Sequence, residues 1–397
     1  MIKVAFWYDR PQEYSGGINY IRNLLHAVSV VEAPHVVPYV FFGTKVDDAI
    51  VRRFEPLATV VRTSVLDRLS PAWFIHKLLF KAFGSLFMVN RMMKQYDISV
   101  MSHSEHVIGT NRPYRLISWI PDFQYLHLPG LFPGLNVPNE NARLVNIVRK
   151  CDVVVISSND ALADFKRIMP VELQSKATVL QFVSQPASLS DLEAVANTES
   201  VDARYSLRGK YFFLPNQFWH HKNHAIVFEA VKILKQRGQE IVVVCTGNLK
   251  DYRSRTTEFL DSLMRYLDEH GIVENVRILG LISYPDVLHL MRNSVAVINP
   301  SRFEGWSSSV EEAKSIGKKV ILSDIGVHRE QQPEDGVYFS PDDAEQLATI
   351  LLDAWNAGDG GVDHGREAAA RNILQQRTME YGLNYLTLID DVNSSKL

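Results

Sequence analysis

Short β-prone apolar runs alternate with segments of helical period along most of the chain, and few folds besides parallel sheets covered by helices accommodate that alternation. In the first half, strands are expected at Lys3–Tyr8, Val36–Phe42, Ser99–Ser102, Leu116–Ile120 and Val153–Ile156, and helices over Ile18–Val31, Trp73–Lys94 and Ala142–Arg149. In the second half, apolar runs at Tyr211–Leu214, Ile241–Cys245, Val276–Leu279, Val295–Asn299 and Val320–Leu322 are each followed by a helical stretch. Between the halves, Ser184–Arg208 carries Ser, Pro, Asp and Glu without a sustained apolar period and reads as a linker. A chain of 397 residues suits two domains, here 1–190 and 191–376. A C-terminal helix, 377–397, follows, and a return to the N-terminal domain is one path for it. No fixed-period repeat or low-complexity tract is present.

Composition excludes several classes of function. Hydrophobic residues at 46% and charged residues at 22% are enough to build cores. A net charge of −3 gives no global basic field, so nucleic acid is not an expected partner. Cys151 and Cys245 lie far apart, form no metal-ligand pattern and read as buried thiols. The N-terminal apolar run reaches Asp9 and Arg10 too soon for a signal sequence, so cytoplasmic residence is expected. The longest apolar stretch, Trp73 to Met93, is interrupted by His76, Lys77, Lys81 and Arg91 and cannot span a bilayer. It reads either as an amphipathic helix packed on a sheet or as peripheral membrane contact through the N-domain, at the inner face of the membrane.

The most informative segment runs Asn299-Pro300-Ser301-Arg302-Phe303-Glu304-Gly305-Trp306-Ser307-Ser308-Ser309-Val310-Glu311-Glu312-Ala313. A strand ends at Asn299, a polar turn follows, and a helix is expected to begin at Ser308 or Ser309. The amides of such a helix start favour a diphosphate. Glu304 precedes the turn, and Glu312 is expected in the first helical turn. A purely structural reading also exists: Ser309 and Glu312 have the spacing of a capping box.

This segment resembles the E-x7-E signature of the retaining GT-B glycosyltransferases known as family 4, or glycosyl transferases group 1. The likeness continues in order through Ala313, Gly317, Val320-Ile321-Leu322-Ser323, Gly326 and Glu330. It implies an α/β fold of two Rossmann-like doubly wound domains facing across a cleft. It further implies that Glu304 contacts the donor sugar hydroxyls, that Glu312 holds the ribose, and that amides at Gly305, Trp306, Ser307 and Ser308 meet the sugar and diphosphate.

Three further segments fit the resemblance in part. Asn216-Gln217-Phe218-Trp219-His220-His221-Lys222-Asn223-His224 precedes a helix whose apolar positions Ile226, Ala230, Ile233 and Leu234 keep the helical period, with Asn223 as expected N-cap and Gly238 as terminator. The family has a basic pair there for the donor diphosphate. Only Lys222 of that pair is present, because Asn216-Gln217 replaces the usual Gly-Arg, and Gln217 brings a hydrogen bond without the charge. Arg302 or a nearby histidine is the alternative source of charge. Gly16 and Gly17, after the first strand, occupy the family's glycine loop. At Pro121-Asp122, Asp122 matches the family's His-Asp pair and Pro121 stands at the His position; His127 is either a substitute or a structural hydrogen-bonding residue.

The expected reaction is therefore transfer of a hexosyl group from a nucleoside-diphosphate sugar to an acceptor hydroxyl with retention of configuration, with Glu304, Lys222 and Asp122 as catalytic residues. The acceptor is expected to be a glycan or lipid-linked, and GDP-mannose, UDP-hexoses and dTDP-rhamnose all stand as donors. Neither a GxGxxG nor a Walker A sequence is present, and no DxD-type motif stands at a strand end, so no cofactor or metal is expected. The alternatives are a non-catalytic sugar-nucleotide-binding protein and, within the same fold, a nucleotide-sugar epimerase or a phosphorylase.

Overall fold

The computed structural model describes residues 1–8, 15–31, 35–83, 86–106, 108–185, 201–250, 257–358 and 360–394. They form two compact units, one comprising Met1–Phe123, Gly134–Val183 and Gln375–Leu397, the other Gln124–Pro133 and Ser184–Leu374. Each is built on its own parallel sheet.

In the first unit the strands are β1 (Ile2–Trp7), β2 (Val36–Phe42), β3 (Thr59–Arg62), β4 (Val100–Ser104), β5 (Arg115–Ile120), β6 (Val153–Ile156) and β7 (Ala177–Val179). Their spatial order is β3-β2-β1-β4-β5-β6-β7. Phe6 of β1 pairs with Val40 on one side and Ser102 on the other. Val4, Ala5 and Phe6 are buried in succession, as a strand covered on both faces requires. The main helices are α1 (Ser15–Val30), α2 (Pro71–Phe83), α3 (Phe87–Gln95), α4 (Val137–Lys150) and α5 (Asn159–Ile168).

The second unit contains β8 (Phe212–Leu214), β9 (Val243–Thr246), β10 (Val276–Gly280), β11 (Val297–Asn299), β12 (Val320–Ser323) and β13 (Val337–Phe339), ordered β10-β9-β8-β11-β12-β13. Its main helices are α6 (His224–Gln236), α7 (Glu258–Glu269), α8 (Tyr284–Asn293), α9 (Ser308–Ser315), α10 (Gly326–Gln331) and α11 (Ala344–Ala357). A long last helix, α12 (His364–Ser394), belongs to this unit up to Leu374 and to the first from Gln375. Side chains alternate across the sheet: Phe212 and Leu214 pack with Val227, Val231, Leu347 and Leu351 of α6 and α11. Phe213, between them, packs on the opposite face with Leu290, Met291, Val310 and Ala313 of α8 and α9.

Both sheets are doubly wound, with the order reversing between β1 and β4 in the first and between β8 and β11 in the second. Ligands of such sheets bind beyond the carboxyl ends of the strands at the reversal. The stretch expected as one helix over Trp73–Lys94 is two, α2 and α3, with Gly84 and Ser85 falling between them outside the described residues. Of the expected linker, residues 186–200 lie outside the described residues, while Val201–Arg204 forms a helical turn. Gly238 ends α6 as expected: at φ +75° it donates to Lys235 O, and Gln239 N–H reaches back to Leu234 O, a Schellman ending.

Candidate functional site

The reversal between β8 and β11 brings two polar strand ends together. Asn216, just past β8, donates through Nδ2 to Asn299 Oδ1 at the end of β11 (3.1 Å), and both side chains are buried. Asn299 Nδ2 in turn donates to Ser307 Oγ (2.7 Å) and Ser309 Oγ (3.1 Å). Ser301 Oγ lies 2.7 Å from both Asn299 Oδ1 and Glu304 Oε1, so its single proton serves one acceptor at a time. Each polar group of this network therefore has a partner in a place where an orphan would be costly.

The loops above the network are tied to one another by backbone. Asn223 adopts the left-handed conformation (φ 55°, ψ 39°), which asparagine tolerates better than most residues. Expected as an N-cap, it occupies that position but makes no capping bond through its side chain. Its Nδ2 instead donates to Pro300 O (3.2 Å) and Pro341 O (3.0 Å). Arg302 N–H donates to His221 O (2.8 Å). These bonds hold the turn ending at Lys222 against the loop carrying Glu304, and the two side chains meet: Lys222 Nζ is 2.5 Å from Glu304 Oε1.

Burial alone would raise the Glu304 carboxyl. The Lys222 ammonium, the His221 ring and the bonds from Lys222 and Ser301 outweigh it and hold the group at about 2, so it is ionised at any physiological pH. Glu312 is the opposite case. Burial pushes it up to about 7, with only the Tyr284 hydroxyl (3.1 Å) to hold the charge down. The two carboxylates of the E-x7-E spacing thus differ sharply in character.

Helix α9 starts at Ser308, as the sequence suggests, but not by the capping-box route. Ser307 is the N-cap, and its side chain makes no capping bond because Asn299 engages its Oγ. Ser309 lies inside the helix and its Oγ is 3.3 Å from Asn216 Oδ1. Glu312 is one residue past the first turn and bonds to Tyr284; the acidic residue of the first turn is Glu311, which is fully buried and held by Lys314 (3.2 Å) and Gln331 (3.0 Å). Gln331 also brackets Ser307, accepting from its N–H (3.2 Å) and donating to its carbonyl (2.9 Å). A helix N-terminus without a side-chain cap, at a strand reversal and near a lysine, is built for an anion.

The remaining expected residues distribute as follows. Gly305 and Trp306 are half-buried between Glu304 and the helix start, Ser308 is exposed on the first turn, and Ser307 is buried. Gln217 faces β9: its Oε1 accepts Asn248 N–H (2.5 Å), and Gly247 (φ +142°) approaches so closely that a Cβ there would sit 2.5 Å from Asn216 O. Arg302 is exposed and paired with Asp342 (2.5 Å). The His127 ring lies 5.1 Å from that of Phe303, the neighbour of Glu304. A cavity of about 940 Å³ in the same unit is lined by His220, Asn223 and Arg302 but by neither Glu304 nor Glu312.

Asp122, Gly16 and Gly17 belong to the first unit. The two glycines stand in the first turn of α1 rather than in a loop, Gly16 exposed and Gly17 buried. Beside them lies His103, which no local pattern singles out and whose φ of +60° falls where β4 shifts register against β5. Its ring is held between Tyr20 OH (2.9 Å) and Ser102 Oγ (2.7 Å), and Tyr385 of α12 donates to the same serine (2.9 Å). Among the described residues, no three His, Cys, Asp or Glu side chains converge so as to hold a metal ion.

Comparison with known proteins decides the character of the second unit: residues 201–363 match the family described as Glycosyl transferases group 1. This region is a glycosyl transferases group 1 domain. Glu304, Glu312 and Lys222 all lie within it. A sequence relative is the O-antigen chain mannosyltransferase RfbU of Salmonella typhimurium, 26% identical over 141 residues, which is 36% of this chain and 37% of that protein. The match therefore spans little more than a third of the relative's length. Similar solved structures include a glycosyltransferase from Rickettsia africae (15% identity, TM-score 0.68, covering 100% of this chain and 99% of that one). Anabaena HepE in complex with UDP-glucose is another (15%, 0.66, 98% and 100%), as is sucrose-phosphate synthase from Thermosynechococcus elongatus (14%, 0.68, 100% and 100%). These likenesses establish the GT-B fold, two Rossmann-like parallel-sheet domains.

Proposed function

We propose that the protein is a retaining, metal-independent glycosyltransferase that moves a hexosyl group from a nucleoside-diphosphate sugar to a hydroxyl of a glycan or lipid-linked acceptor. The observation that carries this reading is the side-chain-uncapped start of α9 beside the Lys222–Glu304 pair. In the reaction the bond from the sugar C1 to the diphosphate oxygen breaks, a bond from C1 to the acceptor oxygen forms on the same face, and the acceptor proton leaves with the diphosphate. Negative charge grows on the diphosphate as the sugar becomes oxocarbenium-like. Preorganised amides and one ammonium aimed at that charge are the main catalytic need.

Each residue has a part in this scheme. Lys222 and the first-turn amides of α9 take the diphosphate, and Glu304, permanently ionised, accepts from sugar hydroxyls. Glu312 accepts from the ribose hydroxyls, and Asp122 is the remaining catalytic carboxylate of the scheme. HepE is known with UDP-glucose and RfbU is a mannosyltransferase, so hexosyl donors are the class to test. The O-antigen relative points to surface polysaccharide assembly as the context.

The test is a thermal-shift screen with UDP-glucose, GDP-mannose and dTDP-rhamnose, followed by measurement of nucleoside-diphosphate release with glycan and lipid-linked acceptors, with and without EDTA. Acceptor-dependent release, unaffected by chelation and giving a product of the donor's anomeric configuration, is expected. Donor binding without release for any acceptor would favour a non-catalytic sugar-nucleotide-binding protein, and interconversion of the free donor would favour an epimerase.

A further inference from the structure

Helix α2 is strongly apolar, PAWFIHKLLFKAF, yet none of its residues from Pro71 to Phe80 is buried. Phe74 is 54% exposed, Ile75 52% and Leu78 67%, and Phe87 in the first turn of α3 is 56% exposed. Helix α3, by contrast, anchors itself through buried Val89 and Met93. Single exposed apolar residues need no explanation, but several large ones on one helix, extended by the next, mark a surface meant to be covered. The side of α2 carrying His76, Lys77 and Phe80 does not pack tightly either. Together with Trp7, Val89, Met101 and Ile108 it lines a cavity of about 250 Å³ near the carboxyl ends of β1 and β4. An amphipathic helix closed onto its sheet buries one stripe fully, whereas over Pro71–Phe80 the inner stripe of Ala72, Trp73, His76 and Leu79 is only half-buried and the large apolar residues beside it are exposed.

Charge says what covers it. From Arg68 to Lys94 the chain carries Arg68, Lys77, Lys81, Arg91 and Lys94 and no Asp or Glu, within a protein whose net charge is −3. Arg68, Lys77, Arg91 and Lys94 are exposed. Among the described residues no helix is long and apolar enough to cross a membrane, so the face can lie on a bilayer but not span it. We propose that α2 and the start of α3 form a docking surface for an anionic phospholipid bilayer, with Phe74, Ile75, Leu78 and Phe87 entering the headgroup boundary and the surrounding lysines and arginines meeting lipid phosphates. This reading goes beyond glycosyl transfer and does not depend on it.

The test is co-sedimentation of the full chain with vesicles of phosphatidylcholine alone and of an equimolar mixture with phosphatidylglycerol. Binding to the anionic vesicles, weakened by raising the salt, is expected. Lys77→Glu with Arg91→Glu should lower the partition coefficient by at least about 30-fold, since each reversal removes one attraction to the anionic surface and adds one repulsion. Phe74→Gln with Leu78→Gln should lower it by at least about 10-fold, since their apolar area no longer leaves water. Both pairs are exposed, so melting curves should match the parent. Lys319→Glu, an exposed lysine of the second unit, should leave binding unchanged. Failure of the parent chain to sediment with anionic vesicles would overturn the proposal, as would equal binding to neutral ones or insensitivity to both double substitutions. A dimer in solution that Phe74→Gln with Leu78→Gln returns to monomer would assign the face to a second copy of the chain instead.

Discussion

Lys222 Nζ rests 2.5 Å from Glu304 Oε1, although the two residues are 82 positions apart and follow different strands of the second sheet. The contact depends on Asn223 and Arg302, whose bonds to Pro300, Pro341 and His221 align the two loops. Both side chains are largely withdrawn from solvent, which strengthens their attraction and makes loss of either partner costly.

Replacing Lys222 with Ala should therefore reduce turnover more than donor binding. One preorganised charge at a developing anion is worth roughly 10²–10³-fold in turnover, while donor affinity should fall by less than about 10-fold. Separate measurement of kcat and of donor Kd by calorimetry checks this. Near-parent turnover would move the cationic role to His221, His220 or Arg302, the last of which would have to leave Asp342.

Glu312 predicts two opposite responses to pH. Its carboxyl is raised to about 7 in the fold, so the folded chain holds that proton more tightly than the unfolded chain does. The stability it contributes is present in full below the ordinary carboxylate range and is lost as pH rises through about 7. Donor binding needs the ionised form to accept from the ribose, so affinity should instead weaken as pH falls through about 7. In Glu312→Gln both trends should vanish, with donor affinity lower than the parent's by about 1.5–3 kcal/mol above pH 7 and close to the parent's well below it. A melting series and a titration series over the same pH range read the two effects. If only the melting series responds to the substitution, the carboxylate has no part in binding.

Gly247 carries a prediction about the loop after β8. A Cβ there would lie 2.5 Å from Asn216 O and 2.9 Å from Gln217 Cα, backbone atoms that have nowhere to go, at a φ of +142° that side chains rarely adopt. Gly247→Ala should cost roughly 2–4 kcal/mol in a denaturant melt and weaken donor binding by displacing the Asn216 turn. Gly238→Ala, at an open helix end with nothing near its Cβ, should cost only about 1 kcal/mol and leave donor binding alone.

How much of this was legible in the sequence follows from physical range. Interior strands such as β2 and β6 are apolar along their length and were expected at the residues they occupy. Edge strands β3, β7 and β13 were not, because three or four half-exposed residues leave no periodic signal. The helix start at Ser308 was readable from local turn chemistry. Its lack of a side-chain cap was not, since that depends on Asn299 diverting Ser307 across the network. Similarly, Gln217 reads in sequence as a depleted basic residue, whereas in the structure its side chain fastens Asn248. Replacing it with Arg would remove that fastening as well as add charge. Long-range partners such as Tyr284 for Glu312 and Gln331 for Ser307 leave no mark at sequence spacing.

The diversion of Ser307 gives the sharpest test of the anion site. Asn299 is fully buried and bonds to Asn216, Ser301, Ser307 and Ser309, so Asn299→Ala should leave several buried groups unsatisfied and cost about 2–4 kcal/mol. It should also release Ser307 Oγ to accept from the first-turn amides of α9, capping the helix with its own serine. Donor diphosphate would then compete with that cap, and affinity should fall by about 10-fold or more. Adding Ser307→Ala to Asn299→Ala removes the competing oxygen, so the double variant should be no more stable than the single one yet bind donor more tightly than it does. Calorimetric titration of the parent and both variants with a nucleoside diphosphate measures this order directly. Equal affinities for the single and double variants would mean that the start of α9 does not receive the diphosphate.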